Sequence, residues 1–147
     1  MQGRLRQISV SDGGAPKSPV PAAAVGFQGV EGDRQRDTKH HGGPDRAVCV
    51  FSWEVIERLR AEGHPIKPGD VGENLTVDGV AWERVGPGSR LAFEGGVELE
   101  VTKFTEPCST IAHAFRDLAF RRIKQDLHPG ESRVYARVLK EGVVRAG

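Results

Sequence analysis

Residues 32–52 read GDRQRDTKHHGGPDRAVCVFS, and the change of character inside this stretch decides how the chain folds. The first part gathers four cations, three acids, the pair His40 and His41, and the turn residues Gly42, Gly43 and Pro44. Glycine reaches backbone angles closed to other residues and proline presets one, so such a loop turns tightly and leaves N–H groups exposed. The second part, Ala47 to Phe51, is an unbroken apolar run, the pattern of a strand buried on both faces. A polar, glycine-rich loop that runs straight into a core strand is a common way to hold a binding site rigid.

Upstream, Leu5, Ile8 and Val10 lie among polar neighbours and predict a first strand from Arg4 to Ser11, broken by Asp12, Gly13 and Gly14. APKSPVPAAAV has three prolines and predicts an extended edge segment that displays Lys17. Downstream, Ser52 is a good N-cap and Trp53, Ile56 and Leu59 recur at helical spacing, predicting a short amphipathic helix that stops by Gly63. Leu75 and Val77 mark one brief strand. Arg90 to Phe93 and Val97 to Phe104, separated by Glu94, Gly95 and Gly96, read as a hairpin whose second arm has one wet and one buried face. Ser109 or Thr110 then predicts the cap of a helix carrying Ile111, Phe115 and Leu118, and Ser132 to Lys140 alternates as a last long strand.

Short strands outnumber helices, and 19 glycines and nine prolines punctuate 147 residues. The expectation is one mainly β domain, residues 1–147, a small closed or partly closed barrel with short helices attached. With 21 basic against 20 acidic side chains the formal net charge is +1, which excludes a broad cationic footprint for nucleic acid and leaves any anion site local. No apolar run approaches a membrane span, and MQGRLRQISV lacks a secretory core, so a cytoplasmic protein with no membrane contact is expected.

Of the two cysteines, Cys49 sits inside VCVF and reads as core. Cys108 follows Pro107 at the end of a strand and precedes a predicted helix, where backbone N–H groups and the helix dipole would favour a thiolate. The same position suits a semi-buried structural cysteine equally well. Asp37, His40, His41 and Cys108 could be combined into a zinc set, but no Cys-x-x-Cys or His-x-x-x-His spacing supports it, and solvated loop histidines are the simpler reading. Anion recognition fits better, with Lys17, Arg34, His41 and Arg46 around the N–H groups of Gly42 and Gly43. Glu73 and Asn74 after Gly72 can fix a turn or contact a polar ligand. Arg121 and Arg122 can be a solvated face or close over a phosphate.

Taken together, GGAPKSPV (13–20), the 32–52 stretch, GDVGENLTVDGV (69–80), LEVTKFTEPCST (99–110) and SRVYARVLKEGVVRAG (132–147) resemble a MOSC domain, in order and over nearly the whole chain. The resemblance implies a barrel-like β fold and a role in molybdenum or sulfur chemistry. It implies that Cys108 accepts sulfur from a pyridoxal-phosphate-dependent partner such as a cysteine desulfurase and passes it on as a persulfide destined for the molybdenum cofactor. In relatives that reduce N-hydroxylated compounds, the matching cysteine instead ligates molybdenum held by a pterin, and a separate electron-transfer protein supplies electrons. The family's His-Gly-Gly motif falls on His41, Gly42 and Gly43, with Arg46 close behind. Its Gly-Glu-Asn motif falls on Gly72, Glu73 and Asn74, and its proline-lysine motif on Lys17. These positions are implied to line a pocket large enough for a phosphorylated pterin, with Cys108 at one side. No aminotransferase-like, ferredoxin or flavin module is read in these 147 residues, so sulfur or electrons are expected from another protein.

Overall fold

The computed structural model describes residues 1–34 and 43–147. The long apolar and alternating runs become strands: β1 (Arg4–Val10), β2 (Ser18–Val20), β3 (Ala22–Gly26), β4 (Gly29–Val30), β5 (Val48–Ser52), β6 (Leu75–Asp78), β7 (Arg90–Ala92), β8 (Glu98–Phe104), β9 (Val134–Lys140) and β10 (Gly142–Arg145). One α-helix, α1 (Trp53–Ala61), joins β5 to β6.

Every residue of β5 is buried, as its unbroken apolar run requires of a strand covered on both faces. It occupies the middle of a seven-stranded sheet in the order β2-β1-β6-β5-β9-β8-β7. β5 and β6 run parallel, and α1 supplies the crossover that a parallel pair needs. Ser52 caps α1 by accepting a hydrogen bond from the Val55 N–H at 3.3 Å, and Val55, Ile56 and Leu59 turn a buried face to the sheet. The other pairings in the sheet are antiparallel, including the predicted β7–β8 hairpin. β10, β3 and β4 form a second, three-stranded sheet. Apolar side chains from both sheets and α1 merge into one core, with Phe51, Leu75, Leu99 and Val144 fully enclosed.

Two expectations need correction. The hydrogen-bonded ladders leave two sheets and do not close into a barrel; the segment ahead of β1 meets the end of β7 through one parallel bridge, Gln2 to Ala92. The helix predicted after Cys108 is a chain of 3-10 turns, Ser109–Ala114, Arg116–Leu118 and Phe120–Ile123. Phe115 is extended between the first two, and the Arg116 N–H donates to Nδ1 of His64 at 3.0 Å rather than into a helix. Asp117 and Leu118 then take positive φ angles of 60° and 57°, which no α-helix of L-residues continues through.

Candidate functional site

Cys108 stands in extended conformation four residues beyond the end of β8. Its thiol is exposed and unpaired, and Sγ lies 2.9 Å from the Thr110 hydroxyl. The turn that follows has no α-helical dipole, so that part of the sequence argument for a thiolate lapses.

Behind the thiol lies a cleft of about 60 Å³, bordered by Lys17, Cys49, Gly72, Cys108, Arg133 and Tyr135 among others. Its walls come from segments far apart in sequence. Gly14 to Lys17 follows β1, Val71 and Gly72 precede β6, and Glu106 to Ile111 follows β8. Gly69 locks two of them together: its carbonyl accepts from the Lys17 N–H at 2.8 Å, and a Cβ there would lie 2.5 Å from the Lys17 carbonyl oxygen. Its φ of 89° also suits glycine alone. A roomier cavity of about 460 Å³ is lined by Gly3 to Leu5, Phe93 to Gly95 and Val143 to Gly147, without a cysteine or histidine, and offers no comparable chemistry.

Lys17 reaches the cleft, yet its charge is already matched. Its ammonium lies 2.7 Å from Asp33 Oδ1, with both side chains buried. Asp33 also accepts from the Ser11 N–H and from Asn74 Nδ2, each at 2.9 Å. Asn74 in turn accepts the Cys49 N–H at 3.0 Å and donates to the Ser9 carbonyl at 3.2 Å, bridging β1 to β5. Its side chain is therefore committed to the scaffold and does not border the cleft.

Glu73 is wholly buried and does not border the cleft either. Its Oε2 accepts from the Thr76 hydroxyl at 3.2 Å while Oε1 lacks a well-formed hydrogen bond, and burial pushes its carboxyl up to about 7 against the opposing pull of the Gly69 and Glu73 backbone N–H groups and the charge of Arg133. Gly72, the first residue of the same motif, does border the cleft.

Arg34 lies on the surface, 3.4 Å from Asp12, and is not a cleft residue. Gly43, at φ 80°, opens the 3-10 turn Pro44–Arg46, which β8 holds through a 2.5 Å hydrogen bond from the Thr102 hydroxyl to the Asp45 carbonyl. Asp37, His40, His41 and Gly42 lie outside the described residues. Arg121 and Arg122 do not approach the cleft: Arg122 pairs with Glu62 at 2.8 Å and Glu131 at 3.1 Å, and Arg121 sits over the Phe120 ring. Among the described residues no group of three His, Cys, Asp or Glu side chains could hold a metal ion.

Three cleft residues escape the sequence reading. Cys49 is 6% exposed, as a core cysteine should be, but it borders the same cleft as Cys108. Burial raises its thiol above the usual range, with the charge of Arg133 opposing the shift. Tyr135 faces Cys49 across the β5–β9 ladder, and burial likewise pushes its phenol up. The charges of Cys49, Arg133, Arg46 and Cys108 all act on it. Arg133 spans the floor, donating to the Val71 carbonyl at 2.7 Å and the Glu106 carbonyl at 3.5 Å. The signal for it was a charged residue placed directly before the apolar alternation of β9.

The fold and the sequence both have relatives. In sequence, YflK of Bacillus subtilis is 34% identical over 143 residues, 91% of this chain and 60% of its own length. YiiM of Escherichia coli is 31% identical over 91 residues, 59% of this chain and 40% of its own length. The chain thus spans about half the length of these curated relatives. The crystal structure of YiiM from Geobacillus stearothermophilus superposes with a TM-score of 0.73 at 29% identity, covering 99% of this chain and 72% of that one. That of the YuaD protein from Bacillus subtilis gives 0.77 at 19% identity, over 99% and 92%, and speaks to the fold alone. The family profile described as the MOSC domain matches residues 37–147. With this match over most of its length and the 34% identity to YflK, this chain belongs to the MOSC domain family, which is associated with molybdenum cofactor binding.

Proposed function

We propose that this chain handles sulfur for the molybdenum cofactor, carrying it as a persulfide on Cys108. The observation that supports this most is an exposed, unpaired thiol at the mouth of a cleft of only about 60 Å³ with buried cations in its lining. Pockets for whole cofactors usually measure about 300–1,000 Å³, whereas an added sulfur atom needs little more than the space of one water molecule.

The donor is a pyridoxal-phosphate-dependent protein such as a cysteine desulfurase, which presents sulfur as its own persulfide. The Cys108 thiolate attacks the outer sulfur; the new S–S bond forms as the donor's S–S bond breaks, and the donor's cysteine leaves as a thiolate. No net oxidant is required. Two unpaired cysteines suit a reducing, cytoplasmic setting for this exchange.

The residues present also fit the metal end of the molybdenum cofactor. A thiolate is a soft ligand suited to such a metal, and cations near it suit an anionic group. Cys108 would be the protein ligand, with Arg133 and Lys17 facing the group's periphery. When bound, the metal would supply two-electron reduction of N-hydroxylated substrates, with electrons from a separate electron-transfer protein. This second reading draws on the same thiol.

Incubating the protein with a cysteine desulfurase and cysteine should add the mass of one sulfur atom to wild type and nothing to Cys108→Ala. Unmodified wild type would count against sulfur carriage. Molybdenum retained by wild type and lost by Cys108→Ala, both made in a cofactor-producing host, would favour the second reading.

A further inference from the structure

Two buried cations border the Cys108 cleft, and they differ in what they have left to give. The Lys17 ammonium is matched by Asp33 at 2.7 Å. Arg133, only 5% exposed, has no carboxylate within ion-pair distance among the described residues. Its two terminal nitrogens are used on the carbonyls of Val71 and Glu106, one on each wall of the cleft. Nε is buried and has no hydrogen-bond partner. The buried Glu73 carboxyl acts on Arg133 only beyond ion-pair distance, and a buried guanidinium without a close counter-ion is costly, so a small anion in the cleft is the partner its charge calls for.

The cleft volume restricts that anion to a few atoms. Its neighbours include the Cys108 and Cys49 thiols and the Tyr135 phenol, soft or weakly polar groups, and Glu106, the one acid of the lining, whose carboxylate is paired with Lys124 at 3.1 Å. Resting on the sulfur-carrier reading above, we infer that Arg133 forms an anion subsite behind Cys108, its guanidinium meeting the outer sulfur of a persulfide carried there through Nη2, whose bond to the Glu106 carbonyl is long at 3.5 Å. Arg133 is a positioning residue: it makes and breaks no bond, but it holds the transferable sulfur inside the cleft and away from bulk thiols. Clamping both walls, the same guanidinium fixes the cleft's width, so the subsite is preformed.

Thiocyanate is a suitable probe, being a small linear anion with a terminal sulfur that does not react with thiols. In wild type, millimolar thiocyanate should slow alkylation of Cys108 by iodoacetamide saturably, while chloride at equal ionic strength should not. In Arg133→Met the apparent affinity should fall about tenfold or more, the loss expected for one hydrogen bond to a charged group. The persulfide formed with cysteine desulfurase should also be lost to glutathione about tenfold faster in the variant.

If wild type takes up no sulfur yet thiocyanate still protects through Arg133, sulfur carriage falls and the subsite stands. If sulfur is loaded and retained equally by both proteins and thiocyanate does not protect, the subsite is overturned and carriage stands. Should Arg133→Met fail to fold, the wild-type titration decides: alkylation indifferent to thiocyanate overturns the subsite, and saturable protection that chloride cannot reproduce supports it.

Discussion

Glu73 is the residue at which burial and ionisation conflict most directly. Its carboxyl ordinarily titrates near 4.5, and burial lifts it to about 7 in the folded chain. Between those values the native state keeps a proton that the unfolded chain releases, so the fold is favoured below the window and loses stability as pH rises through it. The full cost above pH 7 is about 3 kcal/mol. Glu73→Gln removes the ionisation while keeping an acceptor for Thr76. The stability of Glu73→Gln relative to wild type should therefore climb between about pH 4.5 and 7 and then level off, as measured by urea unfolding at a series of pH values. A pH-independent difference would mean that the carboxylate is compensated in solution. The sequence showed an acid after a glycine, in a turn. It could not show that this turn is enclosed, because the enclosing strands come from both ends of the chain.

At the scale of elements, local signals succeeded where local forces decide. The apolar run of β5, the Ser52 cap of α1 and the glycine turn between β7 and β8 are written within a few residues of where they act. The segment 109–123 has a helical pattern too, yet tertiary bonding overrides it. His64 captures the Arg116 N–H, and the chain turns left-handed at Asp117 and Leu118. Leu118 is 66% exposed, so its side chain contributes little packing while its backbone bears a strained φ of 57°. Leu118→Gly should raise stability by about 0.5–1 kcal/mol, because glycine takes this angle without penalty. The readout is the urea midpoint at unchanged slope. A drop in the midpoint would place Leu118 in ordinary helical geometry in solution.

Over the whole molecule, the site depends on strand order, which makes it only partly legible. That Cys108 lies just past a long strand can be read directly, as can the polar loop before β5. That Cys49, Tyr135 and Arg133 join Cys108 follows from β5 pairing with β9 and β9 with β8, and register between strands as far apart in sequence as Val48 and Ala136 leaves no local trace. Lys17 shows the same limit: its proline-flanked position marks it, but not Asp33 as its partner.

That partnership carries a prediction about how the cleft is held. Lys17, Asp33 and Asn74 form a buried chain of charge and hydrogen bonds linking the segment after β1 to the start of β6 and, through the Cys49 N–H, to β5. Removing Lys17 takes from the buried Asp33 carboxylate its 2.7 Å ion pair, whereas removing both charges leaves a neutral amide beside an apolar side chain. Lys17→Met should cost about 3–5 kcal/mol in urea unfolding, and Lys17→Met with Asp33→Asn should recover much of it. Sulfur loading on Cys108 should follow the same order, poor in the single variant and improved in the double, because what fails in the single variant is the wall of the cleft and not the thiol. If loading is lost equally in both while stability recovers in the double, Lys17 acts on the sulfur anion itself and shares the role assigned to Arg133.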